Sequence, residues 1–320
     1  MAKHRDYSVD ILKGLAMLMV VRIHTEVFSF INAPYPIIAV PLFFFLSGFY
    51  DDTQKPIKEW LPKTIKRLIV PGILWIVISF IYLSTLHYIK YKTIEIDFSI
   101  EQPIIANQVL WFLFALFYAK IYTFALNLLK SPLYVNIPIT LILGYLASKI
   151  NLPFLLDEGI AAFPFYYIGK ITYHNYKKSY DRIKELKILS IGLIILGIAC
   201  FTIMPLPWYP YVLVPINTEN SFGIYLIYFL IAIISFSPLF YLTHKIGKIT
   251  ILANYGTKTL GILAIHPLLL HTFYIFVNRF LDIGSTSWIV CSFFIYIIVC
   301  ILSYYCTIVI ERYFPILVGK

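Results

Sequence analysis

Residues 10–30 read DILKGLAMLMVVRIHTEVFSF, an apolar run of bilayer-crossing length that nonetheless carries Lys13, Arg22, His24 and Glu26. Crossing the hydrocarbon takes about 20 predominantly apolar residues. Ionisable groups inside such a run are costly, and membranes rarely keep them without a use. At roughly 100° per residue, the eleven-residue step from Lys13 to His24 comes to about 1100°, only about 20° past three full turns. Both side chains therefore fall on one helical stripe, separated by roughly 16 Å of rise. That stripe takes in Asp10, Lys13, Met17, Val20, Val21, His24 and Phe28. Arg22 and Glu26, four apart, lie on the opposite side at a spacing that lets them pair. A helix polar on two sides belongs inside a bundle rather than against lipid. Taken alone, the segment admits two readings: a packing pair at Arg22 and Glu26 beside a satisfied interior histidine, or a functional His24.

The rest of the chain repeats the apolar character of this run. Of its 320 residues, 60% are hydrophobic and 13% charged, and the mean hydropathy is +0.81, whereas soluble domains run near 25% charged. The expected fold class is all-α: a polytopic integral membrane helix bundle of about ten transmembrane helices. The spans fall near residues 10–30, 36–50, 67–88, 106–128, 133–149, 159–173, 187–204, 221–242, 258–279 and 286–311. No polar interruption is long enough for a separate domain, so residues 1–320 are expected to form a single transmembrane domain without a fused soluble one.

Basic residues set the orientation. With the amino terminus inside, most of the 26 fall on the inner side, notably in KPIKEWLPKTIKR (55–67) and KITYHNYKKSYDRIKELK (170–187), and both termini are expected to be cytoplasmic. The net charge of +10 is then mainly a basic inner face, explained by topology and anionic lipid. An anionic ligand bound from the cytoplasm is the alternative, and no nucleic-acid partner is expected. The amino-terminal run lacks a small-residue cleavage site and reads as a signal anchor. Composition fits a multi-pass protein of the bacterial inner membrane. Cys200, Cys291, Cys300 and Cys306 fall within predicted spans without CxxC spacing and read as packing residues. There is no Gly-rich phosphate loop and no ligand spacing for a metal, so no metal is expected.

Further motifs follow in order. AVPLFFFLSGFY runs three Phe residues into Ser47 and Gly48, a small-residue break that lets a neighbouring backbone approach closely. Lys63, Lys66 and Arg67 stand directly ahead of LIVPGILW. Trp111 opens the fourth span in NQVLWFLFALFYAK, and His266 and Pro267 sit inside the ninth in GTKTLGILAIHPLLL.

With these residues in place the chain resembles the acyltransferase 3 family, membrane enzymes that move acyl groups, usually acetyl, onto sugars of bacterial surface polysaccharides. The resemblance rests on Lys13 and His24, PLFFFLSGF (41–49), KRLIVPGILW (66–75), LWFLFALFY (110–118) and TLGILAIHPLL (259–269), in the family's order along nearly the whole chain. It implies acetyl-CoA as donor, no metal, and a polysaccharide or lipid-linked sugar as acceptor, and it leaves self-association into a homodimer open. It implies further that Lys13, Lys63, Lys66 and Arg67 meet the donor's phosphates. His24 then acts either as general base towards a sugar hydroxyl or as transient acyl carrier. Supporting roles fall to Asp10, Arg22, Glu26, Ser47, Trp111 and His266. Two positions depart from the family pattern: Thr64 stands where an arginine is common, and Ala264 where a tyrosine commonly precedes the histidine. The rival from another class is a transporter or flippase for a glycolipid or anionic solute, since buried charge and short spans also describe a substrate pathway.

Overall fold

The computed structural model describes residues 7–25, 35–92, 105–150, 152–183, 222–247 and 249–320. Its helices are α1 (Tyr7–Ile23), α2 (Tyr35–Gly48), α3 (Ile57–Thr64), α4 (Val70–Tyr91), α5 (Trp111–Leu128), α6 (Leu133–Ala147), α7 (Leu156–Ile183), α8 (Phe222–Ile246), α9 (Thr250–Gly256), α10 (Thr259–Val277) and α11 (Thr286–Tyr313). A π-helical turn (Ile65–Ile69) joins α3 to α4, and a 3-10 turn (Pro315–Val318) follows α11. Among the described residues there is no strand, in keeping with the expected all-α class.

Four helical segments are long and apolar enough to cross a membrane by length and composition: Ile57–Ile89, Asn107–Leu128, Thr259–Val277 and Thr286–Tyr313. Ile38–Gly48, Leu133–Ala147 and Tyr225–Phe236 are shorter apolar helices. The predicted span 187–204 lies outside the described residues, as does Glu26 and with it the expected pairing to Arg22.

Helix boundaries differ from the sequence expectation: α7 runs on to Ile183, past the expected end of its span at 173. The helix α1 ends at Ile23, although the apolar run continues to residue 30. Its last carbonyls are closed off locally, with the Thr25 amide and hydroxyl both donating to the Arg22 carbonyl at 3.1 and 2.7 Å. That places His24 at the helix end, where its ring is accessible. The basic stretch ahead of the third span is helical. There α3 buries Trp60 and Thr64, one turn apart, against the bundle and turns its lysines outward. Pro71 lacks the N–H that would close an α-helical bond to the Arg67 carbonyl. The ladder loosens just before it, and Val70 N–H donates five residues back, to Ile65.

The bundle is drawn together where side chains vanish. The helix α2 packs along α7 and α1 along α9. A Cβ on Gly48 would stand 2.1 Å from the Tyr166 carbonyl oxygen, and one on Gly169 would stand 2.0 Å from that of Phe45. At the other crossing, a Cβ on Gly256 would stand 1.8 Å from the Asp10 carbonyl oxygen. In apolar surroundings, where helices gain little from hydrophobic exclusion, such backbone approach is a main source of association. Gly48 thus makes the close contact that SGF promises, and α1 is clasped between α2 and α9.

Candidate functional site

Two cavities lie among these helices. The first is a slot of about 180 Å³ whose lining includes Lys13, Met17, Val20 and His24 from α1, with Ser47 from α2 and Trp111 from α5. Lys13 and His24 therefore do share one stripe and one cavity. Apart from Thr259, the rest of the wall is apolar and aromatic. Phe44 packs against Trp111 and Phe112, with ring centroids 6.1 and 4.6 Å away, so the run of phenylalanines in α2 holds the tryptophan in place. Trp111 is 9% exposed and so belongs to the cavity wall. The Ser47 hydroxyl donates to the Phe43 carbonyl at 2.7 Å, the usual bond of a helical serine to the preceding turn.

Behind His24 stands His266, carried by α10 and 0% exposed. The two rings meet edge to face, centroids 5.2 Å apart at 63°. His24 Nδ1 lies 2.8 Å from the Val20 carbonyl oxygen, and His266 Nδ1 lies 2.9 Å from that of Ile262. A carbonyl oxygen only accepts, so both Nδ1 atoms carry the hydrogen. His266 Nε2 then faces His24 Nδ1 at 3.5 Å as a bare acceptor, and the Nε2 of His24 keeps its lone pair.

The second cavity is a basin of about 970 Å³ lined by Lys55, Lys63, Arg67, Lys130, Lys170, Asp51 and Asp52, among others. Five cations against two carboxylates leave it positive. The carboxylates hold the walls together. Asp52 pairs with Lys120 at 2.6 Å. Asp51 accepts from the Tyr166 hydroxyl and from Thr53, both at 2.8 Å, and meets Lys170 at 3.4 Å. Lys170 also donates to Asn127 at 2.7 Å, and Asn127 donates to Thr53 at 3.0 Å. This network ties the loop after α2 to α5 and α7, which fixes the basin's floor.

The slot and the basin lie back to back. Ser47 lines the slot and Gly48 the basin; Leu68 lines the slot and Arg67 the basin. The partition is thus the end of α2 and the π-helical turn. Lys13 spans it, since it lines the slot while its Nζ sits 4.8 Å from the ring centroid of Tyr50, a basin residue.

The four cations expected to act together are accordingly divided. Lys63 and Arg67 line the basin and Lys13 the slot, while Lys66 lines neither cavity. Thr64 points inward, its hydroxyl on the Trp60 carbonyl at 2.8 Å, so Lys63 supplies the charge beside Arg67. Asp10 and Arg22 line neither cavity. Asp10 instead serves α1 through its backbone, against Gly256. Reasoning from sequence missed Asp51, Asp52, Asn127, Tyr166 and Lys170. The available signals were a lysine inside each of two apolar segments, Lys120 and Lys170, and an Asp-Asp pair directly after the Gly-Phe-Tyr that ends α2. Among the described residues no group of His, Cys, Asp and Glu is arranged to hold a metal ion.

A family model described as an acyltransferase domain matches residues 6–305, nearly the whole chain. No curated protein matches the chain. No solved structure matches it either.

Proposed function

The chain belongs to this acyltransferase family, and from that premise we propose that it is a membrane O-acetyltransferase that moves acetyl from cytoplasmic acetyl-CoA to a sugar hydroxyl of a cell-surface or lipid-linked polysaccharide. The observation that carries the reading is the adjoining pair of cavities, one positive and wide, the other narrow, apolar and closed by a histidine with a bare Nε2.

The division of labour follows from the chemistry of the donor. The nucleotide end of CoA carries several phosphate charges and needs fixed cations. Lys63 and Arg67 offer these, Arg67 as a planar fork suited to phosphate oxygens and Lys63 as a point charge. The pantetheine arm is slender and nearly uncharged, and suits passage past Tyr50 and Lys13 into the slot. There the thioester carbonyl meets the acceptor. His24 Nε2 takes the proton of the sugar hydroxyl as its oxygen bonds to the carbonyl carbon. The C–S bond then breaks, and the proton passes from His24 to the departing sulfur, leaving an acetyl ester and CoA thiol. Water kept from an apolar slot is water that does not hydrolyse the thioester.

The test supplies acetyl-labelled CoA to membranes bearing wild-type protein or His24→Ala and follows base-labile label entering endogenous glycolipid. Wild type should incorporate label, and His24→Ala at equal protein level should lose about 10²–10⁴-fold of the rate, the span of a general base, with CoA binding intact. Absence of CoA binding by wild type would sink the reading and bring a transporter or flippase forward.

A further inference from the structure

We propose that His266 is a positioning residue that holds His24 in the single tautomer able to act as a base at the slot, and that shares the proton charge His24 acquires. This inference rests on the proposed role of His24 and extends it to a second residue, 242 positions away, that does not itself reach the cavity.

Lone pairs set the first constraint. A neutral imidazole has one N–H and one acceptor, and which nitrogen holds the hydrogen depends on what the ring faces. His24 Nδ1 faces the Val20 carbonyl at 2.8 Å and His266 Nε2 at 3.5 Å. His266 in turn is committed, because its own Nδ1 donates to the Ile262 carbonyl at 2.9 Å. Were the His24 hydrogen to move to Nε2, its Nδ1 lone pair would be set against two acceptors at once. The pair thus keeps the hydrogen on the inner nitrogen, and the nitrogen turned away from both acceptors is left bare to receive the substrate's proton.

Charge makes the second point. When His24 takes the hydroxyl proton it becomes an imidazolium against the apolar wall of the slot, where a charge without a hydrogen-bond partner is costly. Its Nδ1–H is then a stronger donor towards His266 Nε2. A carboxylate in that place would stabilise the cation but would itself be a buried charge in the resting enzyme. A neutral imidazole avoids this, at the expense of a weaker hold. His266 also has no other evident task at the cavity, since it is fully enclosed and lines neither the slot nor the basin.

Full-length protein in its own membranes tests the idea with three substitutions, using labelled acetyl-CoA and endogenous glycolipid. His266→Leu keeps the volume and removes the acceptor. It should lower kcat by about 100-fold while KM for acetyl-CoA stays within about twofold. His266→Gln puts an amide oxygen near the position of Nε2 and should recover most of the rate. His266→Asn, whose oxygen reaches only the position of Nδ1, should not recover it. Equal loss in Gln and Leu variants with CoA binding intact, or wild-type kcat in the Leu variant, would overturn the proposal. If the Leu variant fails to accumulate, the Gln and Asn pair decides, and equal rates in those two would overturn it as well. Full transfer by His24→Ala would instead bring down the reading of His24 itself, whereas a dead His24→Ala beside a fully active His266→Leu removes only the role of His266.

Discussion

The slot and the basin are made from the same helices but from different chemistry. The slot, about 180 Å³, is walled by apolar and aromatic side chains around Lys13 and His24, while the basin, about 970 Å³, is walled by five cations and two carboxylates. On the proposed function, a proton moved in the slot would pass among few competing dipoles, so each hydrogen bond there would count for more. A polyanion in the basin would be held by several charges that salt can screen. The contrast teaches that residues one step apart in sequence, Ser47 and Gly48 or Arg67 and Leu68, can serve two different free-energy terms. Changes in the slot should show in kcat, and changes in the basin in KM for the donor.

The largest effect should come from breaking the partition itself. Gly48→Val sets a branched side chain where a Cβ alone would meet the Tyr166 carbonyl at 2.1 Å and the Lys170 amide nitrogen at 2.7 Å. The obstacle is backbone, so α2 must move off α7, with a cost of about 3 kcal/mol or more. Both cavities share α2, and both functions should fail together. Expected results are a lower thermal midpoint in detergent, loss of CoA binding and loss of transfer. A variant of normal stability that loses only one of the two functions would contradict the shared wall.

How far the molecule could be read beforehand follows from range along the chain. The stripe of Lys13 and His24 was legible because helical periodicity is local, and Gly48 because small residues mark close crossings. The four helical segments long and apolar enough to cross a membrane were legible as apolar runs. The partner of His24 was not, because nothing within one helix turn of either histidine announces a contact 242 residues away. Nor was the pairing of Asp52 with Lys120 or of Asp51 with Lys170, which depends on how α5 and α7 dock beside the loop after α2. The basic cluster divides for a subtler reason. Lys63, Lys66 and Arg67 are close in sequence, but the helix turns Lys66 away, and the π-helical turn imposed by Pro71 sets the register in which Arg67 faces the basin.

The basin is sharpened as a donor site by Arg67→Ala. A charge-assisted bond to phosphate contributes about 2 kcal/mol, which corresponds to about 30-fold in the donor's KM. The expected result is that rise with kcat within about twofold, and a shallower dependence of KM on salt than in wild type. An unchanged KM with a reduced kcat would move Arg67 from recognition to chemistry and dissolve the distinction between the cavities.

The smallest expected effect reaches the basin from outside it. After α11 the chain turns back so that the Trp75 indole donates to the Leu317 carbonyl at 2.8 Å, and Glu311 pairs with both Lys258 and Lys320. Gly319, at φ +72°, lies where a Cβ would stand 2.6 Å from the Arg67 carbonyl oxygen. That oxygen is the one Pro71 cannot engage, so the last residues of the sequence pack onto the weak point of the π-helical turn. Gly319→Val imposes both a disfavoured backbone conformation and a clash there. A cost of about 1 kcal/mol, passed to the setting of Arg67, would raise the donor's KM by about fivefold with kcat and thermal midpoint nearly unchanged. The same substitution made on top of Arg67→Ala should then add little, because the guanidinium it displaces is gone. A full fivefold effect in the double variant would mean that the carboxyl-terminal turn supports the basin through some other wall.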